Sequence, residues 1–511
     1  MARLHEYQGK AILAANGFNI PHGRAVSTAD RAVAAAMELG GEVVIKIQAW
    51  TTGRAGIGGV AFAKEPDDVR AHAARMLAMK VEQFPVEAVL VEEKIDIQRE
   101  FFLSFAIDDA ARAPMIIFAA GGGSGIEERA ASTRRIACDV KGGPLDSVVA
   151  EAVGSCGLSP AHAKQLSESI RKLFGAARSV EARSFEINPL VLTTGDEFVA
   201  ADCRITIDDY AVARHPDLGI EIAREFDHPP TALERVAYAV EQSDHRGTFY
   251  FAQLATAAAK DSKGLVGFHG AGGGGSMMSM DAIVNAGFTI ANFTDTSGNP
   301  SASKVYRAAR IILAQPGLVG YFGSGSGVAS QEQYWSAYGL AKAFWELDLD
   351  IPAVIRLGGN TEDRAVDILQ RMSKLLRAPV EGYGKTDAPA TIAARFAELV
   401  ESAGGTKWKP RVQRRPDFVR SSSAKAFAVK GGRVWIDTAR WTEIRGFVES
   451  QTGGLLVDRA NAPFVTLPSE EFATKDSELL ACSVESRLAG IEGFYLELDI
   501  PGLDELIGGA R

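Results

Sequence analysis

At 511 residues, with 46% apolar and 23% charged residues, the chain has the composition of an ordinary globular protein and length for about three domains. A net charge of −9 gives it no general attraction for nucleic acid. Four scattered cysteines without a C-x-x-C pair argue against a disulfide framework or a zinc site; with no apolar leader and no 18-residue apolar run, the expectation is a cytoplasmic protein free of membrane spans.

Taken in order, residues 3–16 predict an amphipathic helix closed by Gly17 and the Ile20-Pro21 break, and Ser27 to Asp30 caps a second helix that ends at Gly40-Gly41. Val43 to Ile47 predicts a strand with one lysine, Lys46, inside an apolar run. A lysine there is costly to bury unpaired, so it either snorkels at an edge or meets an anion such as a nucleotide phosphate. The loop that follows, Thr51 to Gly59, contains Gly53, Arg54 and Ala55. Glycines let backbone N–H groups approach a polyphosphate, although the Walker A spacing is absent. Residues 66–82 read as helix and 88–93 as a buried strand ending in Glu92-Glu93. Glu100 then heads another apolar run. Carboxylates so placed accept bonds from ribose hydroxyls or simply face solvent. Pro114 to Ala120 is a strand running into a second glycine-rich loop, Gly121 to Gly125, and helices near 160–175 follow.

Ser184 to Arg204 is the stretch that organises the first half. Two β-rich runs flank Thr194-Gly195-Asp196, which predicts a hairpin. Pairing Thr193 with Glu197 puts Asn188 opposite Asp202, with Glu186 on the same face, while Phe185, Ile187 and Val191 seek burial. Three oxygen-bearing side chains on one face suit Mg²⁺ bound to a nucleotide, and equally an ordinary hairpin with a wet polar face. Pro189 argues for an edge position or a bulge.

From about residue 245 the pattern becomes strand–loop–helix. Strands at 264–268, 318–322 and 353–357 run into glycine-rich loops at 269–276, 323–327 and 358–360, and a strand at 288–293 precedes a helix capped by Ser301 and Ser303, which predicts a parallel sheet with helices on both faces. Loops at the carboxyl ends of such strands are natural anion sites. His269, at one strand end, suits a phosphoryl carrier, a base, a hydrogen-bonding ligand residue or a structural histidine. Residues 404–425, basic and broken by Pro410 and Pro416, read as an exposed linker. Residues 426–511 read as a small α+β segment, with a hairpin around Lys430-Gly431-Gly432 and helices at 442–451 and 477–489.

These pieces together resemble the β subunit of succinate–CoA ligase and its ADP-forming acyl-CoA synthetase relatives over residues 3–403. The resemblance lies in Leu4-His5-Glu6-Tyr7-Gln8-Gly9-Lys10, Lys46 with Gly53-Arg54, and Val91-Glu92 with Asp96-Ile97 and Glu100. It continues in Glu186-Ile187-Asn188-Pro189-Leu190-Val191, Arg214-His215-Pro216-Asp217-Leu218, Gly270-Ala271-Gly272, Ala291-Asn292-Phe293, and Arg356-Leu357 with Gly359-Asn360. It implies an ATP-grasp domain (1–240) followed by a flavodoxin-like doubly wound domain (245–403), then the linker (404–425) and the C-terminal α+β domain (426–511). By the resemblance, Lys46, Gly53, Arg54 and Ala55 would hold ATP phosphates, and Glu92, the Ile95 backbone and Glu100 would hold adenosine. Asn188 and Asp202 would bind Mg²⁺, and Glu186 would orient a phosphohistidine. The family phosphorylates a carrier histidine from ATP, passes the phosphate to a carboxylate, and lets coenzyme A attack the acyl phosphate. In its two-subunit members the histidine and the CoA-binding domain belong to an α subunit, which would be the partner here.

The chain departs from the family pattern in both halves, in ways that ATP use survives better than succinate does. Ala55 replaces a glycine, Cys203-Arg204 stand where Gly-Lys is usual, and Ala120 to Gly123 replaces a Thr-Glu-Gly-Gly loop. His269 stands where the family has a substrate-contacting asparagine, and the Gly325-Ser326-Gly327 loop is longer than its counterpart. Gly358 replaces a glutamate. They point to an acid other than succinate. Another ATP-grasp ligase, a CoA-coupled lyase and a non-catalytic nucleotide-binding subunit are the competing readings.

Overall fold

The computed structural model describes residues 2–122, 133–222, 228–244, 247–325, 327–421, 423–429, 432–459, 462–465 and 472–508. It divides into two compact units, Met1–Pro230 and Thr231–Arg511. The first unit therefore closes ahead of the expected boundary at 240, and the helix Ala232–Gln242 belongs to the second.

The first unit is built on two antiparallel sheets. The smaller runs Gly23–Val26, Val89–Glu93, Val43–Ile47, Val60–Ala63, and the helices Ala29–Leu39 and Pro66–Leu77 bury Val33, Val69 and Met76 against it. Thr28 caps the first of these helices by accepting from the Arg31 N–H, and Gly40 ends it in the left-handed conformation, as the sequence implies. The larger sheet runs Ala2–Arg3, Cys203–Ile207, Ala182–Thr193, Ile97–Asp108, Ala113–Ala119, Arg134–Asp139, Gly143–Pro144, with Phe198–Ala200 paired to Ala182–Thr193. The first helix spans Glu6–Ala15 rather than 3–16, because Ala2 and Arg3 are drawn into that sheet opposite Ile207 and Thr206.

The hairpin has the register read from the sequence. Leu192 lies opposite Phe198 and Ile187 opposite Cys203, and the Asn188 N–H donates to the Asp202 carbonyl at 3.1 Å. Phe185, Ile187 and Val191 are buried. The edge alternative for Pro189 is wrong: its strand lies inside the sheet, and a register shift between Ile187 and Leu190 against the strand Ile97–Asp108 accommodates the missing N–H.

In the second unit Leu265–Ala271, Asn292–Asp295, Leu318–Gly325, Ala353–Arg356 and Val380–Tyr383 form the parallel sheet, flanked at one edge by antiparallel Tyr250–Gln253. Numbered along the chain, the parallel strands take the order 2-1-3-4-5, the flavodoxin-like doubly wound arrangement. One face buries Val266, Phe268, Val354 and Phe396; the other buries Leu265, Tyr321 and Ile355 beneath the helices Ala302–Ile312 and Tyr334–Glu346. The glycine-rich loop expected ahead of a helix at Met277 is instead that helix's first turn, Gly273–Asn285, where the Ser276 hydroxyl donates back to the Gly272 carbonyl at 2.8 Å.

Residues after 403 depart most from expectation. The stretch read as an exposed linker is pinned down. Trp408 is 1% exposed and its indole N–H donates to the Leu313 carbonyl at 2.6 Å, while Arg411 and Arg414 pair with Asp350 and Asp348. The segment beyond is α+β as expected: strands Ala424–Val429, Gly432–Asp437 and Phe494–Leu498, with helices Trp441–Thr452 and Phe472–Leu488. Its core is continuous with that of the parallel-sheet region. Glu346, fully buried, joins them by accepting from Tyr306, Tyr495 and Lys342, the last at 2.7 Å. No helix among the described residues is long and apolar enough to cross a membrane, and all four cysteines are unpaired and buried.

Candidate nucleotide site

The first unit holds a cleft of about 580 Å³ lined by Lys46, Gly53, Arg54, Ala55, Glu186, Asn188 and Asp202, together with Glu6, Gln48, Trp50 and neighbouring residues. Seven residues singled out in the sequence from four separate stretches thus meet on one surface. Lys46 reaches it from the strand Val43–Ile47. Arg54 reaches it from a loop that the Gly59 N–H closes on the Arg54 carbonyl at 2.7 Å. A Cβ at Gly59 would stand 2.6 Å from Ile47 Cδ1, so a larger residue there would displace the Ile47 side chain. Glu186 and Asn188 come from one arm of the hairpin, with Asn188 Nδ2 donating to Glu186 Oε1 at 3.4 Å; Asp202 comes from the other.

The electrostatics explain why two cations share this wall. Lys46 Nζ lies 2.8 Å from Glu6 Oε1 and 3.0 Å from Glu92 Oε2, and donates to the Ala201 carbonyl at 2.9 Å. Arg54 pairs with Glu6 at 2.7 Å and with Asp202 at 2.6 Å. Behind them Lys10 Nζ sits 2.6 Å from Glu92 and 2.8 Å from Glu6. Burial alone would push the Glu6 carboxyl up, but Lys46, Lys10 and Arg54 outweigh it and hold the group well below the usual carboxylate range. Burial opposes the charge on Lys46 and on Arg54, yet their carboxylate partners raise both above their ordinary values. Asp202 is shifted upward, because burial and the nearby Glu6 charge exceed the pull of Arg54 and Lys46. Burial also raises Cys203, which keeps this thiol protonated.

The donor set fits Mg²⁺: an amide and two carboxylates facing the cleft are hard oxygen ligands, few enough to leave positions for water and phosphate.

The other expected residues are placed differently. Glu92 is 1% exposed and turned inward, its carboxylate held by Lys10 and Lys46 rather than facing the cleft. Ile95 and Glu100 are half-buried and do not line it. His269, in the second unit, is 4% exposed; its ring hydrogen-bonds Tyr321 at 2.5 Å through Nδ1 and Thr296 at 3.1 Å through Nε2. Burial lowers its pKa to about 3. Gly325 ends its strand, its carbonyl accepting from Arg356, and Gly327 adopts φ +80° beside the Arg356 guanidinium. Ser326, and the glycine-rich loop from Gly123 onward, lie outside the described residues.

Sequence reasoning passed over Glu6 and Lys10. Their signal was a charged pair at i and i+4 in line with Leu13, on the face of the first helix that turns inward.

Comparison with known proteins gives the family and the fold. The ATP-grasp domain family matches residues 3–192. The β subunit of succinate–CoA ligase [ADP-forming] from Rubrobacter xylanophilus is 32% identical over 406 residues, 78% of this chain and 99% of that one. The β subunit of succinate–CoA ligase [GDP-forming] from Thermus thermophilus is 34% identical over 72% of this chain and 93% of its own length. Among solved structures, ATP citrate lyase from Methanothrix soehngenii superposes with a TM-score of 0.59 at 18% identity, covering 78% of this chain and 99% of that one, which shows a shared fold. The chain belongs to the family of succinate–CoA ligase β subunits, ATP-grasp enzymes of the ADP-forming CoA-ligase type.

Proposed function

We propose that this chain is the nucleotide-handling subunit of an ADP-forming acid–CoA ligase. It would transfer phosphate from ATP to a carrier histidine on an α-like, CoA-binding partner, for passage to a small carboxylic acid and then displacement by coenzyme A. The observation that carries the reading is the cleft itself, which sets two cations, Lys46 and Arg54, beside the oxygen ligands Asn188 and Asp202 and the carboxylate Glu186. Transfer of a phosphoryl group depends on positioning and on neutralising its spread charge. Lys46, Arg54 and the backbone of Gly53 and Ala55 serve the phosphates. Asn188 and Asp202 would hold Mg²⁺, which supplies further neutralisation of the phosphate oxygens. Glu186 orients the imidazole that receives the phosphate. The adenosine contacts that the resemblance gives to the Ile95 backbone and Glu100 lie outside this cleft, while Glu92, held by Lys10, fixes Lys46 from behind. Gly325, Ser326 and Gly327 belong to the acid's side of the reaction. His269, which the resemblance places on the acid's side, is held by its bonds to Tyr321 and Thr296. The acid is succinate or a relative of different size or charge, and the reaction is placed in the cytoplasm.

Incubation of the chain with γ-labelled ATP and Mg²⁺, with and without an extract of its source cells, tests the proposal. Acid-labile label on a second polypeptide is expected. Label confined to this chain would refute the two-subunit reading. A panel of carboxylic acids with coenzyme A then identifies the acid by ADP release, and an unchanged preference for succinate would remove the case for another acid.

A further inference from the structure

Glu6 places one carboxylate against three cations that belong to three different parts of the first unit. Its Oε1 lies 2.8 Å from both Lys10 and Lys46, and its Oε2 lies 2.7 Å from Arg54. The side chain is 2% exposed, yet it reaches the wall of the cleft. Lys46 stands on a strand and Arg54 on the glycine loop, and two cations drawn together for one polyphosphate repel each other. A carboxylate shared between them removes that repulsion and ties loop to strand. Glu92 does not substitute, since it contacts Lys10 and Lys46 but makes no contact with Arg54 among the ion pairs of the described residues.

We propose that Glu6 is a positioning residue for the nucleotide phosphates, spacing Lys46 and Arg54 for joint contact, with Lys10 as its charge compensation. The inference rests on the reading of the cleft as the Mg·ATP site. A purely structural role is the alternative: Glu6 would merely neutralise the buried Lys10.

The two roles separate in the pair Glu6→Gln and Glu6→Gln with Lys10→Met, assayed by calorimetric titration with Mg·ATP and by thermal unfolding. Glu6→Gln should weaken Mg·ATP binding by about 10- to 100-fold, the order expected when hydrogen bonds to charged groups are lost. The double variant removes one charge of each sign. It should regain much of the unfolding temperature while its Mg·ATP affinity stays low. Wild-type affinity in either variant would overturn the proposal. Should the double variant fail to fold, Glu6→Asp carries the test: it keeps the charge but withdraws the carboxylate by one methylene. Weakened binding with a near-native unfolding temperature is expected, and native binding would overturn the assignment. Absence of Mg·ATP binding by the wild-type chain would refute the cleft reading itself, a result distinct from any of these.

Discussion

His269 stands at the end of a parallel strand next to a run of glycines, where a histidine invites a functional reading, and its surroundings bear on its protonation. Both ring nitrogens are engaged, by Tyr321 and Thr296, and burial holds the pKa near 3. The unfolded chain takes up a proton at about 6.5 whereas the folded chain does not, so acidification favours unfolding across the interval from about 6.5 down to about 3. His269→Gln removes this linkage. Wild type, which keeps the bonds to Tyr321 and Thr296, should be the more stable at pH 7, and its lead over the variant should shrink by about 1 kcal/mol as pH is lowered from 6 to 5. Urea unfolding at pH 7, 6 and 5 measures the gap, and a constant gap would contradict the assignment. No phosphate should appear on His269 in the labelling experiment. The neighbours that settle its role are Thr296 and Tyr321, which local spacing does not bring beside it; the sequence thus displayed the histidine but not its partners. Glu6 was hidden for the opposite reason. Its helix was evident, but a carboxylate on an apolar face is legible only once Lys46 and Arg54 are known to converge there.

At the scale of elements, local signals served well wherever local chemistry decides. The strand Val43–Ile47 was evident as an apolar run, and the register of the hairpin followed from Thr194-Gly195-Asp196, since a tight turn fixes which residues face one another. They failed where distant packing overrides propensity. Glycines 273–275 have poor helix propensity yet form a first helical turn. The basic, proline-broken stretch after residue 403 had the composition of a solvated linker, and its partners Leu313, Asp348 and Asp350 lie well back in the chain. The helix Tyr334–Glu346 gives a sharp test of such packing. At an exposed site, replacing a helical glycine by alanine stabilises by about 1 kcal/mol. Gly339, however, abuts the helix Ala302–Ile312, and a Cβ there would stand 2.4 Å from the Ala302 carbonyl oxygen. Overpacking against backbone costs about 1–3 kcal/mol, which outweighs the propensity gain. Gly339→Ala should lower the urea midpoint of the second unit, and a raised midpoint would show that the two helices move apart freely.

At the scale of the whole chain, the family resemblance stops near residue 403 but the second unit does not. The helix Phe472–Leu488 packs on the helices Ala302–Ile312 and Tyr334–Glu346, and Ser477 accepts from the Ala302 N–H at 3.0 Å. Tyr495 caps the buried carboxylate of Glu346. A chain ending at residue 403 would expose Tyr306 and Tyr338 and leave Lys342 and Glu346 without their cover. Losing the Tyr495 hydrogen bond to that buried carboxylate alone costs about 1.5–3 kcal/mol. The truncated chain should accordingly be recovered as aggregate or unfold well below the full-length chain, as judged by size-exclusion chromatography and thermal unfolding. Unchanged behaviour would show that the C-terminal segment is a separable appendage. The continuity of that core also orders events during synthesis. The core of the larger sheet in the first unit closes with Ala211, so this part can assemble while the ribosome is still translating the remainder. The second unit's core includes Leu503 and Ile507, and it must wait until these residues have been made. Premature termination between residues 403 and 503 would thus release a finished first unit attached to an open, sticky remnant, a species that quality-control proteases recognise by its bare apolar surface.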